Sequence, residues 1–324
     1  MRRLTVLPLL VLALLAVPAS ASAVNIRVGI GDQSPAMFAN PNYKALNLKI
    51  TRYFIEWNAI DDTEQLAKAD AFVAAASASR VKVLMHISTD NINVGTPRLP
   101  SVAAYRRSVG ALIARYKPRG VTDWGAWNEA NHKTQPTARS PRRAAQFFGE
   151  MRKLCTRCNI VALDVLDQAG VERYIASFYK AAGANAARAR IVGIHNYSEV
   201  NRRLNERRKR TESVRKYPGT KRIIAAVRKA NRSAKFWYTE TGGVTKLAGG
   251  FPCDDARAAD RTRYMFSLAK KFDTFIDRLY TYNWTAAGPR CEDGTRFDAG
   301  LVNADGSPRP AFAVFRSHLR SYKR

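Results

Sequence analysis

The sequence predicts an α/β fold of the (β/α)8, or TIM-barrel, type, as a single domain from Val24 to Arg324. Three observations lead there. Eight short runs of β-branched, aromatic and apolar residues recur along the chain. Helical stretches with apolar residues at three- and four-residue spacing lie between them, and polar residues gather at the carboxyl ends of the short runs. Strands alternating with helices make right-handed βαβ units and a parallel sheet, and eight such units in 324 residues suit a closed barrel. A doubly wound open sheet is set aside because no glycine-rich nucleotide loop follows the first strand.

The chain begins with Arg2 and Arg3, an apolar run from Leu7 to Val17 and the small residues "PASASA". The run is too short to span a bilayer, so residues 1–23 are expected to be a secretory signal cleaved after Ala23. The mature protein is therefore expected outside the cell, with no membrane span. The strands then follow in order: "IRVGIGD" from Ile26, "KITRYFIEW" from Lys49, "VKVLMHIS" from Val81 and "DWGAWNEA" from Asp123. The second four are "IVALDVLD" from Ile160, "IVGIHNYS" from Ile191, "KFWYTETGG" from Lys235 and "LYTYNWT" from Leu279. Between them, "TEQLAKADAFVAAASAS", "SVAAYRRSVGALIARY" and "DRTRYMFSLAKKF" carry the helical period.

A hydrophobic fraction of 46% fits a well-cored domain and excludes a disordered chain. Four cysteines in an exported chain favour disulfides. Cys253 and Cys291 flank long loops and are paired in this reading, and Cys155 with Cys158 forms a C-x-x-C. No second metal-spaced pair accompanies it, so no metal site is expected. The formal net charge of +28 implies electrostatic adhesion to anionic surfaces such as an acidic cell envelope. Its densest run, "NRRLNERRKRTESVRK" from Asn201, reads as a solvated helix face. Specific nucleic-acid binding is not expected, for no recognised module or aromatic platform accompanies the charge. The chain is read as a monomer.

The strand ends hold the chemistry. Asn128 and Glu129 end the fourth strand, Glu240 the seventh, His195 and Tyr197 the sixth, His86 the third and Trp284 the eighth, after Tyr282. The second strand carries Arg52, with Trp57 at its tip. Alternation along a strand puts Trp127 with Glu129, His195 with Tyr197, and Tyr238 with Glu240 on shared faces. Active sites of this fold lie at the carboxyl ends of the strands. Strands four and seven stand across the ring from each other, so Glu129 and Glu240 face each other over its mouth. Two carboxyls in one water-poor mouth cannot both ionise easily, so one retains a proton near neutral pH. That is the pairing glycoside hydrolysis needs, one group protonating the leaving oxygen and the other attacking or activating water.

"WNEAN" and "YTETGG" resemble the two catalytic segments of clan A glycoside hydrolases, retaining enzymes on a (β/α)8 barrel with glutamates ending strands four and seven. The likeness runs over nearly the whole mature chain through strand order, and extends to Arg52, "HNY", "TYNW" and the closing "GLVNADGSPRPAF". It implies Glu129 as acid/base, Glu240 as nucleophile and Asn128 as donor to the sugar 2-hydroxyl. Arg52 and Tyr197 would hold Glu240, and Trp284 would floor the sugar subsite. His86 and His195 join the substrate-binding set, and Trp57 and Tyr282 offer further aromatic faces to sugar C–H groups. A β-linked poly- or oligosaccharide is the implied substrate, with no cofactor or metal. Two other readings use the same residues: a secreted barrel that binds carbohydrate or cell surface without cutting, and a transglycosidase with a sugar as acceptor.

Overall fold

Eight parallel strands close on themselves. They are β1 (Val24–Gly31), β2 (Ile50–Glu56), β3 (Lys82–Ser88), β4 (Asp123–Gly125), β5 (Asn159–Leu166), β6 (Ile191–His195), β7 (Lys235–Thr241) and β8 (Ile276–Tyr282). Each pairs with the next, and β8 pairs back to β1 from Arg27↔Arg278 to Gly31↔Tyr282, which shuts the ring. This computed structural model describes residues 24–90, 97–202, 219–288, 291 and 297–324. The expected signal segment and residues 203–216 of the arginine-rich run lie outside them.

Helices α1 (Pro41–Leu46), α2 (Thr63–Ala78), α3 (Val102–Tyr116), α4 (Pro141–Leu154), α5 (Val171–Ala182), α6 (Tyr197–Asn201), α7 (Gly219–Ala230), α8 (Asp255–Lys271) and α9 (Pro310–Leu319) surround the barrel. Their starts are legible chemically. Asp62 caps α2 by accepting from the backbone of Glu64 and Gln65, Ser101 caps α3 at Ala104, and Asp254 caps α8 at Arg257. Pro141 and Pro310 occupy first helical positions, where no N–H is needed. The expected Cys253–Cys291 disulfide is present, and Cys155 and Cys158 of the C-x-x-C form a second. No helix among the described residues is long and apolar enough to cross a membrane.

Strand parity divides the core in two. Outward-facing residues such as Ile26, Val28, Tyr53, Ile55, Phe236 and Tyr238 meet the helices in one large apolar layer. Inside the ring a small cluster of Ile50, Leu84, Val161, Trp237 and Tyr280 fills the middle. Burying each of these larger side chains is worth about 1.5–3 kcal/mol over leaving it in water. Above that plug the interior turns polar, and there two glycines make room. A Cβ on Gly125 would sit 2.0 Å from the His86 ring, and one on Gly193 would sit 1.8 Å from Asp164 Oδ1. The polar upper layer exists because these neighbours have no side chain.

The fourth strand is shorter than expected. Regular pairing stops at Gly125, and residues 126–131 turn while still bonded to both neighbours: Asn128 N donates to Ile87 O and Ala130 N to Asp164 O. Alternation therefore fails past Gly125. Trp127 goes outward, stacking on Phe147 at 4.9 Å, while Glu129 turns to the barrel mouth with φ of 47°. On β7, register shifts beside Tyr238 and Glu240 break the period as well. Tyr238 packs outward against Thr220, and Glu240 faces in. The expected shared faces of Trp127 with Glu129 and of Tyr238 with Glu240 are corrected accordingly.

Candidate active site

Arg52 is the hub. It is 1% exposed, and its guanidinium spends each nitrogen on a different partner. Nη1 donates to Glu240 Oε2 at 2.6 Å, Nη2 to Asn128 Oδ1 at 2.5 Å, and Nε to His86 Nδ1 at 3.3 Å. From β2 the rigid planar fork fixes three side chains, from β3, β7 and the turn after β4. Because His86 Nδ1 accepts, its proton sits on Nε2. Burial, only partly offset by Asp164, pushes the His86 ring down to about 3, so it is neutral at working pH.

Glu240 receives a second donor, Tyr197 Oη at 3.0 Å. Burial and then the Glu240 charge hold the Tyr197 phenol well above its usual range, so it stays a donor. Glu129 is half-buried at the rim, and Oε1 lies 2.9 Å from His195 Nδ1. His195 is fully buried. Burial opposes its charge, but Asp164 and then Glu240 outweigh that and push it up to about 10. His195 is thus an imidazolium between the two glutamates, 2.9 Å from one and 3.8 Å from the other.

Beneath this pair lies Asp164 of β5, fully buried and absent from the expectations above. Its Oδ2 is 2.9 Å from His195 Nε2, an ion-pair distance without the alignment of a hydrogen bond, and 3.8 Å from His86 Nε2. It accepts from Thr239 Oγ1 and, at 3.1 Å, from the backbone N–H of Glu129. Burial works against its charge, but His195, His86 and Arg52 hold it well below the ordinary carboxylate range. Asp164 therefore fixes both the backbone turn that presents Glu129 and the charge of the imidazole that touches it. The sequence did hold a signal for it, an aspartate inside the apolar run "IVALDVLD". Asn131, beyond the fourth strand, makes a reciprocal amide pair with Leu166, donating to its O and accepting from its N at 2.9 Å each. It ties the Glu129 turn to β5.

Aromatic placement differs from expectation. Tyr282 continues the inward parity of β8 and is half-buried, with burial and then the Glu240 charge raising its phenol. Its ring neighbours Phe54 at 6.4 Å and Phe297 at 6.2 Å, and Phe297 meets Tyr197 edge-on at 5.4 Å. These partly exposed rings border the mouth. Trp284, expected to floor a sugar subsite, is 1% exposed, with its ring against Tyr43 and Phe312 in the helix-facing core. It leaves no face for a ligand. Trp57 shares the outward parity of Tyr53 and Ile55 and is 9% exposed in the same layer. The aromatic border is Tyr282, Phe54 and Phe297 instead.

Ligand atoms of Glu129, His195 and Glu240 lie within 4.8 Å of one another, a spacing a metal ion can use. The set is already occupied chemically. Asp164 and Glu240 favour the protonated His195 ring, and Glu240 is bonded to Arg52. A cation would have to displace both that proton and Arg52.

No family model matches the sequence, and no curated protein does. Solved structures do resemble the fold. A GH10 endoxylanase from a sugarcane soil metagenome superposes with a TM-score of 0.60 over 92% of this chain and 100% of its own, at 14% identity. Xylanase B from Clostridium stercorarium F9 gives 0.60 over 91% of this chain and 99% of its own, also at 14%. GH5_18 from Streptomyces cattleya, solved in complex with GlcNAc, gives 0.64 over 94% and 83%, at 15%. The likeness is one of fold, a barrel shared along nearly its whole length with glycoside hydrolases.

Proposed function

We propose that this chain is a secreted glycosidase that cleaves β-linked poly- or oligosaccharides with retention, using Glu240 as nucleophile and Glu129 as acid/base. One observation carries the reading. Glu240 is held between a guanidinium and a phenol, and a carboxylate oxygen of Glu240 lies within 4.8 Å of one of Glu129. Closely set carboxyls leave no space for a water between them and sugar, as inversion requires.

The charges suit both steps. Arg52 and His195 are cations, and Asp164 and Glu240 are anions. With a proton on Glu129 the cluster is neutral. In the first step Glu240 attacks the anomeric carbon as Glu129 passes its proton to the leaving oxygen. Glu240 then becomes a neutral ester and Glu129 a carboxylate, and the cluster is neutral again. In the second step Glu129 takes a proton from water, which displaces Glu240. Keeping a water-poor site neutral throughout avoids the penalty of an unpaired buried charge. Asn128 Oδ1 is committed to Arg52, which leaves its Nδ2 as the donor for a sugar hydroxyl. Tyr282, Phe54 and Phe297 offer faces to sugar C–H groups. Secretion is supported by the leader and by two disulfides.

Glu129→Ala separates the two roles. Hydrolysis of an unactivated glycoside is expected to fall about 10²–10⁴-fold, the usual worth of a general acid. A dinitrophenyl glycoside, whose leaving group needs no proton, keeps most of its first-step rate and shows a burst, and azide restores turnover. Equal losses on both substrates would remove Glu129 from the acid/base role.

A further inference from the structure

The amino-terminal end of the barrel, opposite the candidate active site, carries its own chemistry. Arg27 of β1 has Arg278 of β8 as its Cα partner on one side and Lys323 of the short strand Tyr322–Lys323 on the other. Three cations thus stand in one row on adjacent strands, ~4.8 Å apart in the pairing direction, where like charges disfavour pairing. Arg190 and Lys235 join them, the Lys235 N–H donating to Arg190 O at the entry to β6 and β7. Together they line a cavity of about 500 Å³.

Two carboxylates answer five cations. Asp123 takes Arg278 at 2.5 Å, and Asp277 stands 3.7 Å from Lys235. Lys323 bonds Asn25, and among the described residues Arg27 and Arg190 have no carboxylate partner although both are exposed. The floor is closed, with the Arg278 guanidinium 3.8 Å over the ring of Trp237, which belongs to the apolar plug. A ligand can enter the cup but cannot pass through the barrel.

We infer that this cup binds oxyanion groups, phosphate or carboxylate, carried by an acidic polyhydroxylated polymer. Guanidinium forks match both groups bidentately. The volume lies in the ~300–1,000 Å³ range of small-molecule sites and exceeds what a lone inorganic anion fills, so one unit of a larger molecule fits. Nucleic acid is the poorer match, for single strands need exposed rings to stack on and Trp237 is 3% exposed. Anchoring at this end leaves the opposite mouth open, and the strong net positive charge, of which the expected leader holds only Arg2 and Arg3, draws the chain to such a polymer from a distance. The inference does not depend on the glycosidase reading.

The test compares the full chain with two double variants on poly(glycerol phosphate), polygalacturonate and single-stranded DNA near physiological salt. Wild type is expected to bind at least one of the two acidic polymers, and which one tells phosphate from carboxylate. Arg27→Gln with Arg190→Gln should weaken that binding about tenfold or more through the lost charge-assisted contacts. Lys44→Gln with Arg107→Gln, which removes two exposed charges elsewhere, should weaken it less than about twofold. Equal weakening in both variants would reduce the effect to net charge and overturn the cup. So would failure to bind either polymer, or tighter binding of DNA than of both.

Discussion

Glu240→Ala is expected to lower turnover of an aryl β-glycoside more than about 10⁴-fold, the scale of removing a nucleophile from a site that works as a unit. The loss should fall on kcat as much as on kcat/KM, because Arg52, Asn128 and the ring border remain to bind the sugar. Added azide should return part of the rate and yield a glycosyl azide of inverted configuration, the small anion taking the place left by the carboxylate. Folding should survive, since Arg52 keeps Asn128 and His86. Steady-state rates with and without azide, with the product anomer read by NMR, check this. A variant that retains wild-type turnover would exclude Glu240 as nucleophile.

Asp164→Asn is expected to lower stability and rate together, and it acts without touching substrate. The substitution preserves shape but removes the anion that chiefly holds His195 at about 10 and that accepts the Glu129 N–H. Two consequences follow. Stability should drop by about 3–5 kcal/mol, the usual result of leaving one member of a buried ion pair alone. Rate should fall about 10²-fold from misplacement of Glu129. The pH dependence distinguishes positioning from general loosening. In the wild type the folded His195 value lies above its unfolded value of 6.5, so its contribution to stability is complete below about pH 6.5 and fades as pH rises toward 10. The variant should lose that slope, and the alkaline limb of kcat/KM should move to lower pH. Denaturant titrations at pH 6 and pH 9, with a pH–rate profile, measure both. A destabilised variant with an unmoved alkaline limb would reduce Asp164 to a structural role.

Much of this was written plainly in the sequence, for physical reasons that can be named. Strand and helix periods are local, so eight strands and their helices were legible to within a few residues. Glu129 and Glu240 stood out because a carboxylate at the end of an apolar run needs an explanation. His195 could be placed because it ends β6, and Arg52 because its parity within β2 turns it into the ring, whereas Tyr197 reaches Glu240 from the first position of α6, beyond the strand. Parity failed where the strand itself stopped. Gly125 ends β4 to admit the His86 ring, so nothing beyond it keeps the period of two, and Trp127 and Glu129 part company. On β7 a register shift, invisible in one strand alone, separates Tyr238 from Glu240. Trp57 and Trp284 misled because an indole at a strand tip serves a core as well as a ligand, and only the neighbouring rings decide. Asp164 was missed although it carries the same anomaly as Glu129. It lies within a strand instead of at its end, and its partners come from β3, the turn after β4, β6 and β7, contacts that only the closed ring creates.

The central claim is a covalent sugar on Glu240. Incubating the protein with a panel of activated 2-deoxy-2-fluoro β-glycosides, followed by intact mass and peptide mapping, tests it directly. One added glycosyl unit per chain is expected, on the peptide carrying Tyr238, Thr239 and Glu240, with label absent from Glu240→Ala. A label on Glu129, or turnover of the parent glycosides with inversion and no label on any residue, would contradict it.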